Sequence, residues 1–196
     1  SDVLSVFAGL RPLAAPRSEG KKTKEISRSH KLIREKSGLI TIIGGKWTTY
    51  RKMAQDTLDL AIRYMHIPTK DCITERYQIH GSRKNPDFSD PLYVYGTDAD
   101  EIRNLVASSP AMAEKLHPDY AYTVGEVTWL VRNEMPRTLE DVLARRLRIL
   151  FLDARAAMAM APKVAGILAT EWGKDETWTS AQVKAFNEVA SNYILN

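Results

Sequence analysis

The sequence predicts a mixed fold: a small antiparallel β segment followed by a mainly α-helical C-terminal domain. Three observations carry this. Strand-like apolar runs end with Leu39-Ile40-Thr41-Ile42-Ile43. From Trp47 onward the apolar spacing becomes helical. Beyond a loop over residues 67–91, helix-start signals follow one another with no further strand pattern. The chain therefore divides near residues 66–72, into a β-containing piece over 1–70 and a helical domain over 71–196.

In chain order, Val3 to Arg11 reads as a strand ended by Pro12. Ala14 to Glu25 is small, polar and lysine-rich, the composition of a mobile surface loop. Ile26 to Arg34 and Leu39 to Ile43 read as a hairpin around Glu35-Lys36-Ser37-Gly38, with Gly38 free to take a positive φ. The second strand is nearly all apolar, which predicts burial on both faces. Trp47 to Met65 reads as a helix with Ala54, Thr57, Leu58, Ala61, Ile62 and Met65 on its inner stripe, stopped by Pro68. Capping signals mark four later starts: Asp98 with Glu101, Thr123 with Glu126, Thr138 with Asp141, and Thr179 with Gln182. Val142, Leu143, Leu147 and Leu150 form one apolar face. Ala154 to Met160 and Val164 to Trp172 read as two helices broken near Pro162. Val183, Phe186, Val189, Ala190 and Ile194 face inward from the last helix.

Charge is distributed unevenly. Residues 1–70 carry 14 Lys+Arg against 6 Asp+Glu, and residues 71–196 carry 14 against 18. The basic half lacks an aromatic stacking series, so an anionic small ligand, an anionic cofactor or a membrane surface accounts for it better than nucleic acid. No apolar run approaches the ~18–20 residues of a membrane span. The lone Cys72 excludes an internal disulfide and fits a reducing compartment. His30, His66, His80 and His117 have no metal-ligand spacing, so no metal site is expected.

Gly44-Gly45-Lys46-Trp47-Thr48-Thr49-Tyr50-Arg51 is the most informative stretch. Two glycines where a strand turns into a helix allow close backbone approach. The helix start supplies free N–H groups and a positive dipole end, and Thr48 and Thr49 can cap it or offer hydroxyls. Such a corner suits an anion or an electron-accepting ring atom. A tight turn with a cap is the plainer alternative.

Gly9-Leu10-Arg11-Pro12-Leu13, Ser27-Arg28-Ser29-His30 and the Gly-Gly-Lys-Trp-Thr-Thr-Tyr-Arg block resemble, in order and spacing, the FAD-dependent glycerol-3-phosphate dehydrogenases and the related α-glycerophosphate oxidases. Val127-Thr128-Trp129, Val131-Arg132-Asn133-Glu134, Leu143-Ala144-Arg145-Arg146 and Phe151-Leu152-Asp153 resemble the helical region of the same family. No Gly-x-Gly-x-x-Gly fingerprint is present, so the expectation is a C-terminal portion without its ADP-binding part.

The resemblance implies that residues 1–70 are the end of an FAD and substrate domain and residues 71–196 a helical cap. It implies substrate-binding roles for Arg11 and Arg28, and cofactor-binding roles for Gly44, Gly45, Lys46 and Thr48 against FAD. The alternatives are solvated strand arginines at 11 and 28 and a turn-exposed lysine at 46. Tyr50 and Arg51 are expected to pack on the sheet. The implied partners are the N-terminal FAD-binding part of the same chain, glycerol 3-phosphate and a quinone. No catalytic residue is assigned, because the general base is expected outside this chain. The isolated chain is expected neither to bind FAD stably nor to turn over. The expected location is cytoplasmic or peripheral on the inner face of the cell membrane. The competing reading is a helical interaction module for dimerisation or membrane docking. Arg145, Arg146 and Arg148 read as an anion patch or, on a helix, as a solvated or salt-bridged face.

Overall fold

The computed structural model describes residues 2–10 and 29–195. They belong to two compact units, Gly9–Gln78 and Ser1–Ala8 with Ile79–Asn196. The division thus falls between 78 and 79 and not near 66–72, for a local reason. The Arg51 guanidinium donates to Thr74 Oγ1 at 3.2 Å and to Glu75 at 3.3 Å, which ties the segment after the first helix back onto that helix.

In the first unit, β1 (Lys31–Arg34) pairs antiparallel with β2 (Ile40–Ile43), with Leu32 opposite Ile42. The turn closes where the Gly38 N–H donates to the Glu35 carbonyl at 3.0 Å, and Gly38 takes φ 92 as its sequence context predicts. All four β2 residues are half-buried, not buried on both faces, because β1 is the strand's one sheet neighbour among the described residues.

A 3-10 turn over Trp47–Thr49 feeds α1 (Tyr50–Met65). The helix ends at His66, in the left-handed region, before Pro68 is reached. Its inner face is rotated from the expected stripe. Leu58 is 60% exposed and Met65 is exposed, while Met53, Asp56, Thr57 and Leu60 are half-buried. Two contacts fix that rotation: Met53 lies under Gly45, and Asp56 accepts from His30 at 2.9 Å.

The second unit is helical. It contains α2 (Ala99–Ala107), α3 (Val124–Asn133), a π-helical turn (Asp141–Arg146), α4 (Ile149–Leu152), α5 (Ala154–Trp172) and α6 (Glu176–Ser191). Helix α5 is the hub, packing on α3, α4 and α6. Its Met160, Val164 and Leu168 are buried with Val127, Leu130, Leu143, Leu150 and Phe186.

Pro162 does not split α5. The ring sits on the exposed side, and the buried Ala161, Val164 and Ala165 around it hold the helix through one missing hydrogen bond. The predicted helix carrying Val142 to Leu150 is instead a π turn, then Arg148 at φ 61, then α4. All four apolar residues are nonetheless buried, so the burial pattern holds while the backbone path differs.

The capping signals have mixed outcomes. Thr123 accepts from the Glu126 N–H at 3.2 Å, and Thr138 and Asp141 cap each other reciprocally. Asp98 makes no cap bond and pairs with His80 at 2.7 Å, while Glu101 accepts from the Trp129 indole at 3.0 Å. Helix α6 starts at Asp175, which accepts from Trp178 N–H at 2.8 Å, so Thr179 lies inside it. Gln182 instead accepts from the Leu139 N–H at 3.0 Å.

The expected strand from Val3 is absent over residues 2–10. That segment is a strap on the helical unit. Val6 N–H donates to the Tyr193 carbonyl at 2.8 Å, Ser5 Oγ to the Leu150 carbonyl at 2.7 Å, and Ala154 N–H to the Leu4 carbonyl at 3.2 Å. Phe7 meets the Phe151 ring edge-on at 5.0 Å. Val6 is half-buried while Val3, Leu4 and Phe7 stay exposed, so hydrogen bonds to the helical unit stand where a neighbouring strand was expected.

One carboxyl sits deep in this unit. Glu126 is 4% exposed and accepts from Tyr95 Oη at 2.6 Å. Burial pushes the Glu126 carboxyl up to about 7, against the lowering effect of its Tyr95 and Thr123 hydrogen bonds. Burial, with Glu126 beside it, raises the Tyr95 hydroxyl as well.

Candidate functional site

The glycine corner is built by the end of β2 and the start of α1. Gly44 and Gly45 take φ 75 and φ 87 in succession, a region that residues with a Cβ avoid. A Cβ on Gly45 would lie 2.5 Å from Met53 Sδ and 3.3 Å from His30 Cβ. Gly45 therefore lets α1 fold back against β1.

Lys46 returns to extended backbone at φ −139. Its N–H donates to Thr49 Oγ1 at 3.2 Å, that hydroxyl donates back to the Lys46 carbonyl at 3.0 Å, and the Thr49 N–H reaches the same carbonyl at 3.0 Å. Thr49 is thus the capping threonine, which leaves the exposed Thr48 hydroxyl for another partner. Lys46 is exposed beside it.

The corner is braced from below. Asp56 accepts from His30 at 2.9 Å and from Lys52 at 2.8 Å, and the Lys52 hydrogen bond holds its carboxyl below the usual range. The Arg34 guanidinium lies 3.3 Å over the Tyr64 ring, a cation–π contact between β1 and α1.

Gly44, Gly45, Lys46 and Thr48 therefore share one corner. Arg11 and Arg28 lie outside the described residues, as does the predicted loop over 14–25. Tyr50 and Arg51 do not pack on the sheet. Arg51 holds Gln55, Thr74 and Glu75, and Tyr50 is exposed against Trp47, ring centroids 5.7 Å apart. Trp47 is 86% exposed. Sequence reading missed this indole beside the corner, although its place at the start of an amphipathic helix, off the apolar stripe, was a signal for it.

Arg145, Arg146 and Arg148 do not form an anion patch. Arg145 pairs with Glu140 and Asp141 at 2.7 and 3.1 Å, the half-buried Arg146 donates to the carbonyls of Glu134 and Asp141, and Arg148 is the left-handed residue before α4. Among the described residues no group of His, Cys, Asp or Glu could hold a metal ion, and no helix is long and apolar enough to cross a membrane.

Architecture and corner together define a class: a helical domain preceded in the chain by a hairpin whose second strand turns through paired glycines into a helix. The model of one family, described as the C-terminal domain of alpha-glycerophosphate oxidase, matches residues 39–179, from β2 into α6. The chain belongs to this family.

Among full-length relatives, it is 35% identical to a probable mitochondrial glycerol-3-phosphate dehydrogenase of Caenorhabditis elegans, over 98% of this chain and 29% of that protein. It is 32% identical to a mitochondrial glycerol-3-phosphate dehydrogenase of Arabidopsis thaliana, over 98% of this chain and 38% of that protein. It is 31% identical to the mitochondrial enzyme of Mesocricetus auratus, over 98% and 28% respectively. The chain spans less than two-fifths of the length of these relatives. Their names place those proteins in mitochondria, which corrects the expected cytoplasmic location.

Proposed function

We propose that this chain is the C-terminal part of a flavoprotein that oxidises glycerol 3-phosphate to dihydroxyacetone phosphate. The observation that carries the reading is the Gly44-Gly45-Lys46 corner, lying within a chain aligned almost end to end with glycerol-3-phosphate dehydrogenases. FAD is the proposed cofactor; when bound, it takes the hydride from C2 of the substrate. The substrate hydroxyl proton goes to a general base outside this chain.

The corner's residues fit such a group. Gly44 and Gly45 set the backbone, and the exposed Lys46 ammonium and Thr48 hydroxyl are donors at a helix start. A positive charge there stabilises negative charge developing on an electron-accepting ring. Arg11 and Arg28 are the proposed phosphate ligands, since two guanidinium forks match a phosphate well. Quinone is the proposed electron acceptor, reached by peripheral contact with a membrane. The oxidase description of the family favours oxygen as the second reading.

The test is anaerobic addition of glycerol 3-phosphate to the full-length protein, read as flavin absorbance. Bleaching by glycerol 3-phosphate but not by glycerol is expected. A full-length protein that carries no flavin, or whose flavin is not bleached, would refute the reading. Oxygen uptake during turnover distinguishes the two acceptors.

A further inference from the structure

We propose that the corner between α5 and α6 binds a phosphate-bearing ligand. A cleft of about 410 Å³ opens there, lined by Pro136, Arg137, Trp172, Lys174 and Trp178. It lies wholly within the helical unit and is independent of the glycine corner.

The backbone under the cleft is fixed. Gly173, at φ 62, ends α5, and the Lys174 N–H returns to the Ala169 carbonyl at 2.9 Å. Asp175 then starts α6 through the Trp178 N–H. This reversal sets the rings of Trp172 and Trp178 edge to face, centroids 5.7 Å apart at 79°. On the other side Pro136 is buried, and Asp141 holds the N–H groups of Arg137 and Thr138 at 2.9 and 3.0 Å.

Of the acids that flank these segments, Glu171, Glu140, Asp141 and Asp175 are engaged, while the exposed Glu176 lies in the first turn of α6 and outside the cleft lining. Glu171 takes both arms of the Arg132 guanidinium at 2.8 and 2.7 Å. Glu140 and Asp141 hold Arg145, and Asp175 is occupied by the α6 cap. Arg137 and Lys174 have no side-chain partner among the described residues. The indole N–H groups of Trp172 and Trp178 have none either, unlike that of Trp129, which donates to Glu101.

One cleft therefore gathers two cations without an ion-pair partner and two unused indole donors. A phosphate offers several acceptor oxygens to such a set, and the guanidinium fork matches it geometrically. The indole surfaces suit a flat or apolar body attached to that phosphate. Lys174 also suits the negative end of the α5 dipole, but that role accounts neither for Arg137 nor for the paired indoles.

The chain's four tryptophans make the test specific, since each gives its own indole N–H signal by NMR. The probes are phenyl phosphate, inorganic sulfate, and phosphatidylcholine vesicles with and without phosphatidylglycerol. A saturable shift of the Trp172 and Trp178 signals by phenyl phosphate is expected, with Trp129 unmoved. Arg137→Gln with Lys174→Gln should weaken it roughly tenfold or more while the Trp129 signal reports an intact core. A response confined to phosphatidylglycerol vesicles and lost in the double variant would assign the phosphate to a lipid headgroup and supports the same site. No response to either phosphate source, an equal response to sulfate, or an unchanged response in the double variant overturns the proposal.

Discussion

Replacing Glu126 by Gln should remove a pH dependence that this single carboxyl imposes on the helical unit. The carboxyl is buried and its value rises from 4.5 to about 7. At ~1.4 kcal/mol per pKa unit, that displacement corresponds to about 3 kcal/mol between the two protonation states. The sign follows from which form the fold prefers. A raised carboxyl favours the neutral form, so its contribution is fully present below pH 4.5 and is lost as pH rises through about 7. The Glu126→Gln side chain keeps an oxygen to accept from Tyr95 Oη but carries no titratable charge. Urea unfolding of both proteins, followed by far-UV circular dichroism across that range, isolates the effect as their difference, because other titrating groups cancel. Wild-type stability should fall relative to Glu126→Gln by about 3 kcal/mol over the range and stay level above it. Parallel curves would mean that Glu126 is hydrated or paired in solution, and the buried-acid account would fail.

Three further outcomes follow from the packing. Gly45→Ala should destabilise its unit by about 2 kcal/mol, and the added change Met53→Ala should relieve only the contact and leave the strain at φ 87; an unchanged melting temperature for Gly45→Ala would exclude the left-handed corner. Arg145→Glu should cost under about 1 kcal/mol, as an exposed pair does, whereas Arg146→Glu should cost roughly 3 kcal/mol because it leaves the Glu134 and Asp141 carbonyls unpaired; equal losses in denaturant titrations would contradict this. A fragment of residues 72–196 should unfold cooperatively but at lower denaturant than the same fragment joined to residues 1–8, since the strap supplies the Leu4 acceptor and the Phe7–Phe151 contact; coincident curves would show the strap to be dispensable.

Much of the fold is legible where a signal is local. The hairpin turn follows from Gly38, the Gly44-Gly45 corner from paired glycines between two periodicities, and the Thr123 and Thr138 caps from their own spacing. The failures share another cause: a tertiary partner displaces the local one. Glu101 and Gln182 have capping spacing but answer Trp129 and Leu139 from other elements. Residues 3–8 read as a strand but make their hydrogen bonds to the helical unit, and Pro162 reads as a break because its sequence does not reveal that neighbouring residues are anchored in the core. The π turn has no sequence period of its own and passes for a helix because burial is preserved through it. At the corner the glycine turn was legible, but the division of labour between its two threonines was not. Thr49 caps because its hydroxyl faces Lys46, which leaves Thr48 exposed.

Steady-state kinetics of the full-length protein with Arg11→Ala and Arg28→Ala test most directly whether this chain completes a glycerol 3-phosphate site. Each change should raise KM for glycerol 3-phosphate roughly tenfold or more, as loss of a charge-assisted phosphate contact requires. Wild-type kinetics with glycerol 3-phosphate in both variants would contradict the assignment of this chain to the substrate site.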